Sequence, residues 1–222
     1  MYLVKTPKLI QAFMPALTWK LPTTEPVLYL TFDDGPIPEV TPWVLDILES
    51  YNARATFFCV GHNVEKHPDL FQRLLNEGHS IGNHTFSHLN GWETENIPYF
   101  NNIRRCAHLV KSPLFRPPYG RITPSQRQFL LRHYQIVMWD VLSGDFDQDL
   151  SPEQCLKNVV DSAGRGSVIV LHDSIKAEPR LRYALPLILE HFSKRGYRFE
   201  AIPMLHTPVS KFELEDSSTL VS

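Results

Sequence analysis

The chain has 222 residues, 43% of them hydrophobic and 21% charged, the makeup of a water-soluble globular domain large enough to bury a core without disulfides or structural metals. Its 22 basic and 24 acidic residues leave a formal net charge of −2 with no block of one sign, so no nucleic-acid partner is expected. Three widely spaced cysteines, Cys59, Cys106 and Cys155, make neither a disulfide framework nor a CxxC metal pair, which favours a reducing, cytoplasmic setting.

At the N-terminus, Lys5 and Lys8 precede an apolar stretch over residues 9–17. The stretch holds Gln11 and Pro15, lacks a small-x-small cleavage site, and falls well short of the ~20 apolar residues that cross a bilayer. Residues 1–26 therefore read as an arm packed on the domain, with no transmembrane segment. From residue 27, short apolar runs alternate with longer amphipathic ones. Strands are expected at 27–32, 55–60, 80–83, 114–115, 136–141, 167–171 and 198–202. Helices are expected at 39–50, 68–76, 94–110, 124–133, 152–162 and 180–195. Pro42 suits a first turn, Thr123 and Ser151 can act as N-caps, and Pro186 predicts a kink or a later start in the last helix. About seven strands alternating with six helices predict an α/β fold, a single-domain distorted or incomplete (β/α) barrel of parallel strands over 27–203, followed by a tail over 204–222. A flat doubly wound sheet is the rival.

Polar clusters recur where these strands end. Thr31-Phe32 runs into Asp33-Asp34-Gly35-Pro36, Gly82-Asn83 into His84-Thr85-Phe86-Ser87-His88, and Leu114-Phe115 into Arg116-Pro117-Pro118-Tyr119-Gly120. Residues 136–141 lead toward Ser143-Gly144-Asp145, and Val170-Leu171 into His172-Asp173. In parallel α/β folds these ends share one face, the face that carries active sites. Of two adjacent carboxylates, one can bind a metal while the other serves as a base; the plain alternative for Asp-Asp-Gly-Pro is a turn. His84 and His88, four apart, can reach one ion if the segment makes a helical turn, and with Asp34 they would give two nitrogens and a carboxylate. One divalent ion is expected, zinc first, with cobalt or another divalent ion also compatible. Arg116, stiffened by Pro117-Pro118, can clamp a carboxylate or simply sit at the surface. His172 is a natural proton donor, or else a rim histidine capping a loop. Asp145, Asp147 and Asp149 mimic the start of a calcium loop, but Leu150 and Leu156 stand where that loop needs Gly and Glu.

In this order the motifs Thr31-Phe32-Asp33-Asp34-Gly35, His84-Thr85-Phe86-Ser87-His88, Arg116-Pro117-Pro118-Tyr119-Gly120 and Leu171-His172 resemble the polysaccharide deacetylase family, carbohydrate esterase family 4. The resemblance implies a hydrolase that removes N-acetyl groups from an N-acetylated carbohydrate. It implies Asp33 as base, Asp34, His84 and His88 as metal ligands, and Arg116 as the group orienting Asp33. The Tyr119 N–H would help hold the oxyanion, His172 would be the acid, and Asp145 would support His172. Leu171 would line the acetyl pocket, with Phe146 and Trp139 also at the substrate pocket. Asp145-Phe146 stands where the family usually has Asp-Trp, which alters the expected shape of that pocket. A metal-free amidohydrolase and a non-catalytic carbohydrate-binding module are the alternatives.

Overall fold

A computed structural model describes residues 2–204. The tail expected from 204 onward lies, apart from Met204, outside the described residues. Among them, no helix is long and apolar enough to cross a membrane.

The central strand β1 (Val27–Asp33) is buried along its whole length, as its nearly unbroken apolar sequence demands. It pairs in parallel with β2 (Thr56–Cys59) on one side and β7 (Val168–His172) on the other. Through β3 (Ser80–Asn83), β4 (Leu114–Phe115), β5 (Gln135–Ile136) and β6 (Val141–Leu142) the order becomes β5-β4-β3-β2-β1-β7-β6, with every pairing parallel. A short β8 (Arg198–Phe199) pairs with the start of β1.

This order forces the sheet to curl. Strands β5 and β6 occupy opposite edges, and six inter-strand spacings of about 4.8 Å would part flat edges by ~29 Å. Yet the chain from Ile136 to Val141 reaches at most ~18 Å, five steps of up to ~3.6 Å. The two edges are thus held close, and a flat doubly wound sheet is excluded. The single strand expected over 136–141 is corrected accordingly. Its ends belong to different strands, and Val137–Asp140 spans the seam between them. An apolar run carries no signal that its two halves pair with different neighbours.

The N-terminal arm lies along this seam. Lys5 bridges to Val141, Thr18 to Val137 and Lys20 to Ser167. Buried Asp140 anchors it, accepting from Lys5 Nζ at 2.6 Å, Gln11 Nε2 at 3.3 Å and Ser167 Oγ at 2.5 Å. Leu17 and Trp19 join a core cluster with Tyr99, Phe115 and Ile136, whereas α1 (Lys8–Phe13) buries none of its residues.

Helices α2 (Thr41–Ser50), α4 (Pro68–Asn76), α5 (Asn96–Ala107), α6 (Pro124–Leu130), α7 (Pro152–Val160) and α8 (Glu178–Ser193) form at the expected places, while α3 (Gly61–Lys66) was not anticipated. Thr123 and Gln126 make a reciprocal capping box at α6, and Ser151 caps α7. Alternation along the strands sorts the side chains. Leu28, Leu30 and Phe32 of β1 and Ile169 and Leu171 of β7 pack in the cluster shared with α2 and α8. Val27, Tyr29 and Val168 fall in a separate cluster with Phe58, Val137 and Ile202. Thr31 and Asp33 share the parity of Tyr29, and His172 that of Val168, so the chemistry-bearing side chains face the barrel interior.

One core histidine gives a stability test remote from the site. His79 is 5% exposed, and its Nδ1 accepts the Ala55 N–H at 3.1 Å. Burial pushes it down to about 4, against the opposing pull of Glu77. The folded state therefore keeps His79 neutral while the unfolded chain takes up a proton below its ordinary value. Stability is present above that value and lost as pH falls toward 4, by roughly 2–3 kcal/mol. Asn places an acceptor where Nδ1 stood. Denaturant unfolding of metal-free wild type and His79→Asn at pH ~7 and ~4.5 should show that much less acid sensitivity in the variant. Identical losses would refute the assignment.

Candidate active site

Five chain segments deliver polar groups to the C-terminal ends of the strands, around a cleft of about 520 Å³ lined by Asp33, Asp34, His84, His88, Tyr119 and His172 among others. Asp33 is the last residue of β1 and 4% exposed. Its Oδ1 accepts from Arg116 Nη1 at 2.7 Å, while Oδ2 lies 3.9 Å from His84 Nε2. Arg116, fully buried, also donates to Thr31 Oγ1 at 2.7 Å and to the Val137 and Met138 carbonyls at 3.0 and 2.9 Å. Its guanidinium stacks 4.1 Å over the Phe58 ring. One side chain thus positions Asp33 and stitches the seam at 137–138.

Ligand atoms of Asp34, His84 and His88 all lie within 4.8 Å of one another. Asp34 adopts a left-handed backbone (φ 88°), a turn directly after the end of β1. Its carbonyl accepts from Asn63 Nδ2 at 2.8 Å. The next N–H, of Gly35, donates to Asp173 Oδ1 at 3.1 Å, and Thr41 Oγ1 donates to Asp173 Oδ2 at 2.6 Å. A Cβ at Gly35 would meet Asp173 Oδ2 at 2.0 Å, so glycine is required there. Asn63, Thr41 and the role of Asp173 were not apparent from the sequence, because each supports the turn from a distant segment.

The segment holding the histidines is an irregular bend, not the helical turn expected, with Thr85 (φ 63°) and His88 (φ 55°) left-handed. Asn83 Oδ1 accepts the Thr85 N–H and Thr85 Oγ1 the Leu89 N–H, side-chain bonds that replace a helical ladder. His84 Nδ1–H donates to the Arg116 carbonyl at 2.8 Å, which leaves Nε2 as the free lone pair, 4.0 Å from Asp34. His88 turns Nδ1 to Tyr119 Oη at 3.2 Å and Nε2 to Asp34 at 3.2 Å. Burial pushes His84 down to about 4, so it is neutral and able to ligate at ordinary pH. For Asp34, burial opposes ionisation, but the His88 hydrogen bond and the charge of His172 hold it well below the usual carboxylate range. Two imidazoles, each braced through Nδ1 by a second group, and one carboxylate suit a divalent cation.

Beside them, Asp145 grips His172 twice. Its Oδ1 accepts from Nδ1 at 2.7 Å and its Oδ2 from the His172 N–H at 2.7 Å. Burial pulls His172 down, but the charge and hydrogen bond of Asp145, with Asp34 and Asp33 behind it, push it up to about 9. Arg180 of α8 donates to the Asp145 carbonyl at 2.6 Å, a brace no motif announced. Asp147 accepts from Tyr2 Oη at 3.0 Å, so Asp145 and Asp147 do separate jobs.

Trp139 and Phe146 line the cleft, the Phe146 ring 5.3 Å from that of His172 and 5.1 Å from that of Tyr2. Tyr2 brings the arm into the wall, a contribution with no sequence signal. Leu171, expected at the acetyl pocket, is corrected: it is fully buried in the core on the helix side, and Val170 lines the cleft instead. The alternation that turns His172 inward turns its neighbour out.

The polysaccharide deacetylase family model matches residues 20–134. A peptidoglycan-N-acetylglucosamine deacetylase of Bacillus cereus is 37% identical over 85% of this chain and 92% of its own length. A chitooligosaccharide deacetylase of Azorhizobium caulinodans is 31% identical over 79% of this chain and 92% of its own. The crystal structure of a peptidoglycan N-acetylglucosamine deacetylase in complex with 4-naphthalen-1-yl-N-oxidanyl-benzamide is similar with a TM-score of 0.82 at 33% identity, covering 89% of this chain and 95% of that one.

Proposed function

Because this chain belongs to the polysaccharide deacetylase family, we propose that it hydrolyses the acetamide of an N-acetylated glycan with a divalent cation, zinc, held by Asp34, His84 and His88. The family match ends at residue 134, before Asp145 and His172, so the acid half of the site rests on geometry. That geometry carries the reading: a fixed carboxylate, Asp33, and a braced imidazole, His172, in one cleft with the Asp–His–His cluster. A binding module has no use for both.

A bound cation would supply Lewis acidity to the acetyl carbonyl. Arg116 holds one oxygen of Asp33, leaving the other to accept a proton from the attacking water. Tyr119, on its left-handed backbone, would supply a main-chain N–H for the oxyanion. His172, with Nδ1 committed to Asp145, has Nε2 to protonate the departing nitrogen.

Metal-stripped protein is expected to bind one zinc per chain and to regain acetate release from N-acetylated oligosaccharides. His84→Ala should weaken zinc binding by at least about a hundredfold, since outer partners of such ligands alone are worth 10–100-fold. Undiminished activity in the chelated protein would instead favour the metal-free amidohydrolase.

A further inference from the structure

The outer surface of the N-terminal arm is apolar and unused by the fold. A helix on a globular domain ordinarily buries one face, yet α1 buries none of its residues. Ile10 rests against the core cluster that holds Leu17 and Trp19. Leu9 and Phe13, four residues apart on one side of the helix, are 68% and 76% exposed. Met14 just after the helix and Leu3 before it are exposed as well. A lone exposed apolar side chain is ordinary, but four so close along one arm make a patch. The patch is not loose. Trp19 Nε1–H donates to the Met14 carbonyl at 3.1 Å and Gln11 Nε2–H to the Thr6 carbonyl at 3.1 Å. The Thr6 N–H and Oγ1–H donate to the Asp140 and Trp139 carbonyls at 2.9 and 2.8 Å. A helix of six residues would not persist alone, so these bonds hold Leu9 and Phe13 out in water.

Charge decides what could cover it. Residues 1–24 carry Lys5, Lys8 and Lys20 and no carboxylate, in a chain of net charge −2. Residues 96–139 carry seven lysines and arginines and again no carboxylate. The two stretches pack on each other, Leu17 and Trp19 of the arm sharing a cluster with Tyr99, Ile103, Leu130 and Tyr134. Lys5 is paired with Asp140, Arg105 with Glu65, Arg116 with Asp33 and Arg121 with Glu93. Lys8, Lys20 and Arg132 are exposed and have no ion pair among the described residues. Protruding apolar side chains beside cations suit an anionic lipid surface, where hydrocarbon enters the headgroup boundary and ammonium groups meet phosphates. Two copies of this face would bring like charges together, which disfavours self-association through it.

We propose that the arm docks the protein reversibly on anionic phospholipid bilayers, with Leu9, Phe13 and Met14 in the headgroup boundary and Lys8 and Lys20 against the phosphates. The contact lies on the surface, since α1 is far too short to span a bilayer. Tyr2 of the same arm lines the cleft, so a docked molecule holds the cleft rim near the lipid. Docking of this kind needs no chemistry from the cleft and stands or falls apart from it.

Flotation of the full chain with lipid vesicles tests it. At low ionic strength the protein should bind vesicles of about 30% phosphatidylglycerol in phosphatidylcholine roughly tenfold or more tighter than pure phosphatidylcholine. Salt at about 0.5 M should remove most of that difference. Leu9→Ser/Phe13→Ser should weaken binding to the anionic vesicles at least about tenfold. Lys8→Gln and Lys20→Gln should each cost about fivefold there and leave binding to neutral vesicles unchanged. The substituted side chains are all exposed, so Tm should stay within about 2 °C of wild type in every variant. Absence of flotation, equal binding to neutral and anionic vesicles, or undiminished binding by Leu9→Ser/Phe13→Ser overturns the proposal. Sedimentation of the lipid-free protein covers the rival occupant. A wild-type dimer that Leu9→Ser/Phe13→Ser converts to monomer would give the face to a second copy of the chain and also overturn it.

Discussion

An Arg116→Met variant is expected to lose about 3–5 kcal/mol of stability together with nearly all activity, because removing one partner of a buried ion pair strands the other. Four acceptors lose their donor at once: Asp33 Oδ1, Thr31 Oγ1 and the carbonyls of Val137 and Met138. Methionine fills the space over Phe58 but donates nothing. Arg116→Lys should also fail, since one ammonium cannot replace a planar fork reaching β1 and the seam at four acceptors. Adding Asp33→Asn to Arg116→Met removes the stranded charge and should recover part of the stability without restoring turnover. Guanidinium unfolding and acetate release on the three variants separate these effects. A loss of under ~1 kcal/mol in Arg116→Met would mean that the cluster relaxes around the vacancy.

His172→Ala should show a substrate-dependent loss. An amine is a poor leaving group until protonated, whereas an aryl acetate releases a stable phenolate. Turnover of an N-acetylated sugar should therefore fall ~10²–10⁴-fold, and that of an activated aryl ester far less. Asp33→Asn should depress both, because each substrate needs an activated water. Metal content is checked in each variant. Equal losses on amide and ester with metal retained would remove His172 from the role of acid. The same group sets a pH limb. Held at about 9 by Asp145 and the neighbouring carboxylates against its burial, His172 is protonated at neutral pH and loses its proton as pH rises through that value. Amide hydrolysis should fall there, and Asp145→Asn should move the fall to lower pH. An unmoved limb would assign it to another group.

Much of this site was legible in the sequence because its motifs are local. Asp33-Asp34, His84 and His88, Arg116 and His172 each end an apolar run, and a parallel sheet gathers such ends. What escaped depended on partners far along the chain or on parity. Arg180, Asn63 and Tyr2 brace or line the site from elements whose own sequences announce nothing. Leu171 was misplaced because adjacency to His172 in sequence means opposite faces in a strand. Four-residue spacing at His84–His88 fits a helical turn or a bend alike; left-handed Thr85 and His88 make it a bend.

The seam also bears on the order in which the molecule assembles. Its ties join positions far apart, Lys5 to Asp140 across 135 residues and Arg116 to Asp33 across 83. Contacts of such sequence separation carry the largest loop-closure cost and form late. The parallel pairs from β1 to β4 can assemble while residues 137–140 still wait for the arm. In hydrogen exchange, the Met138 and Leu142 amides, which donate to the Thr18 and Val4 carbonyls of the arm, should accordingly open with it, below the free energy of the central strands. Because the Arg116 fork that holds Asp33 is itself fixed by the Val137 and Met138 carbonyls, a nascent or locally opened seam would leave the clamp on the catalytic carboxylate with half of its anchoring acceptors. Hydrolytic competence would then be the last property acquired in folding and the first surrendered on heating, ahead of global unfolding.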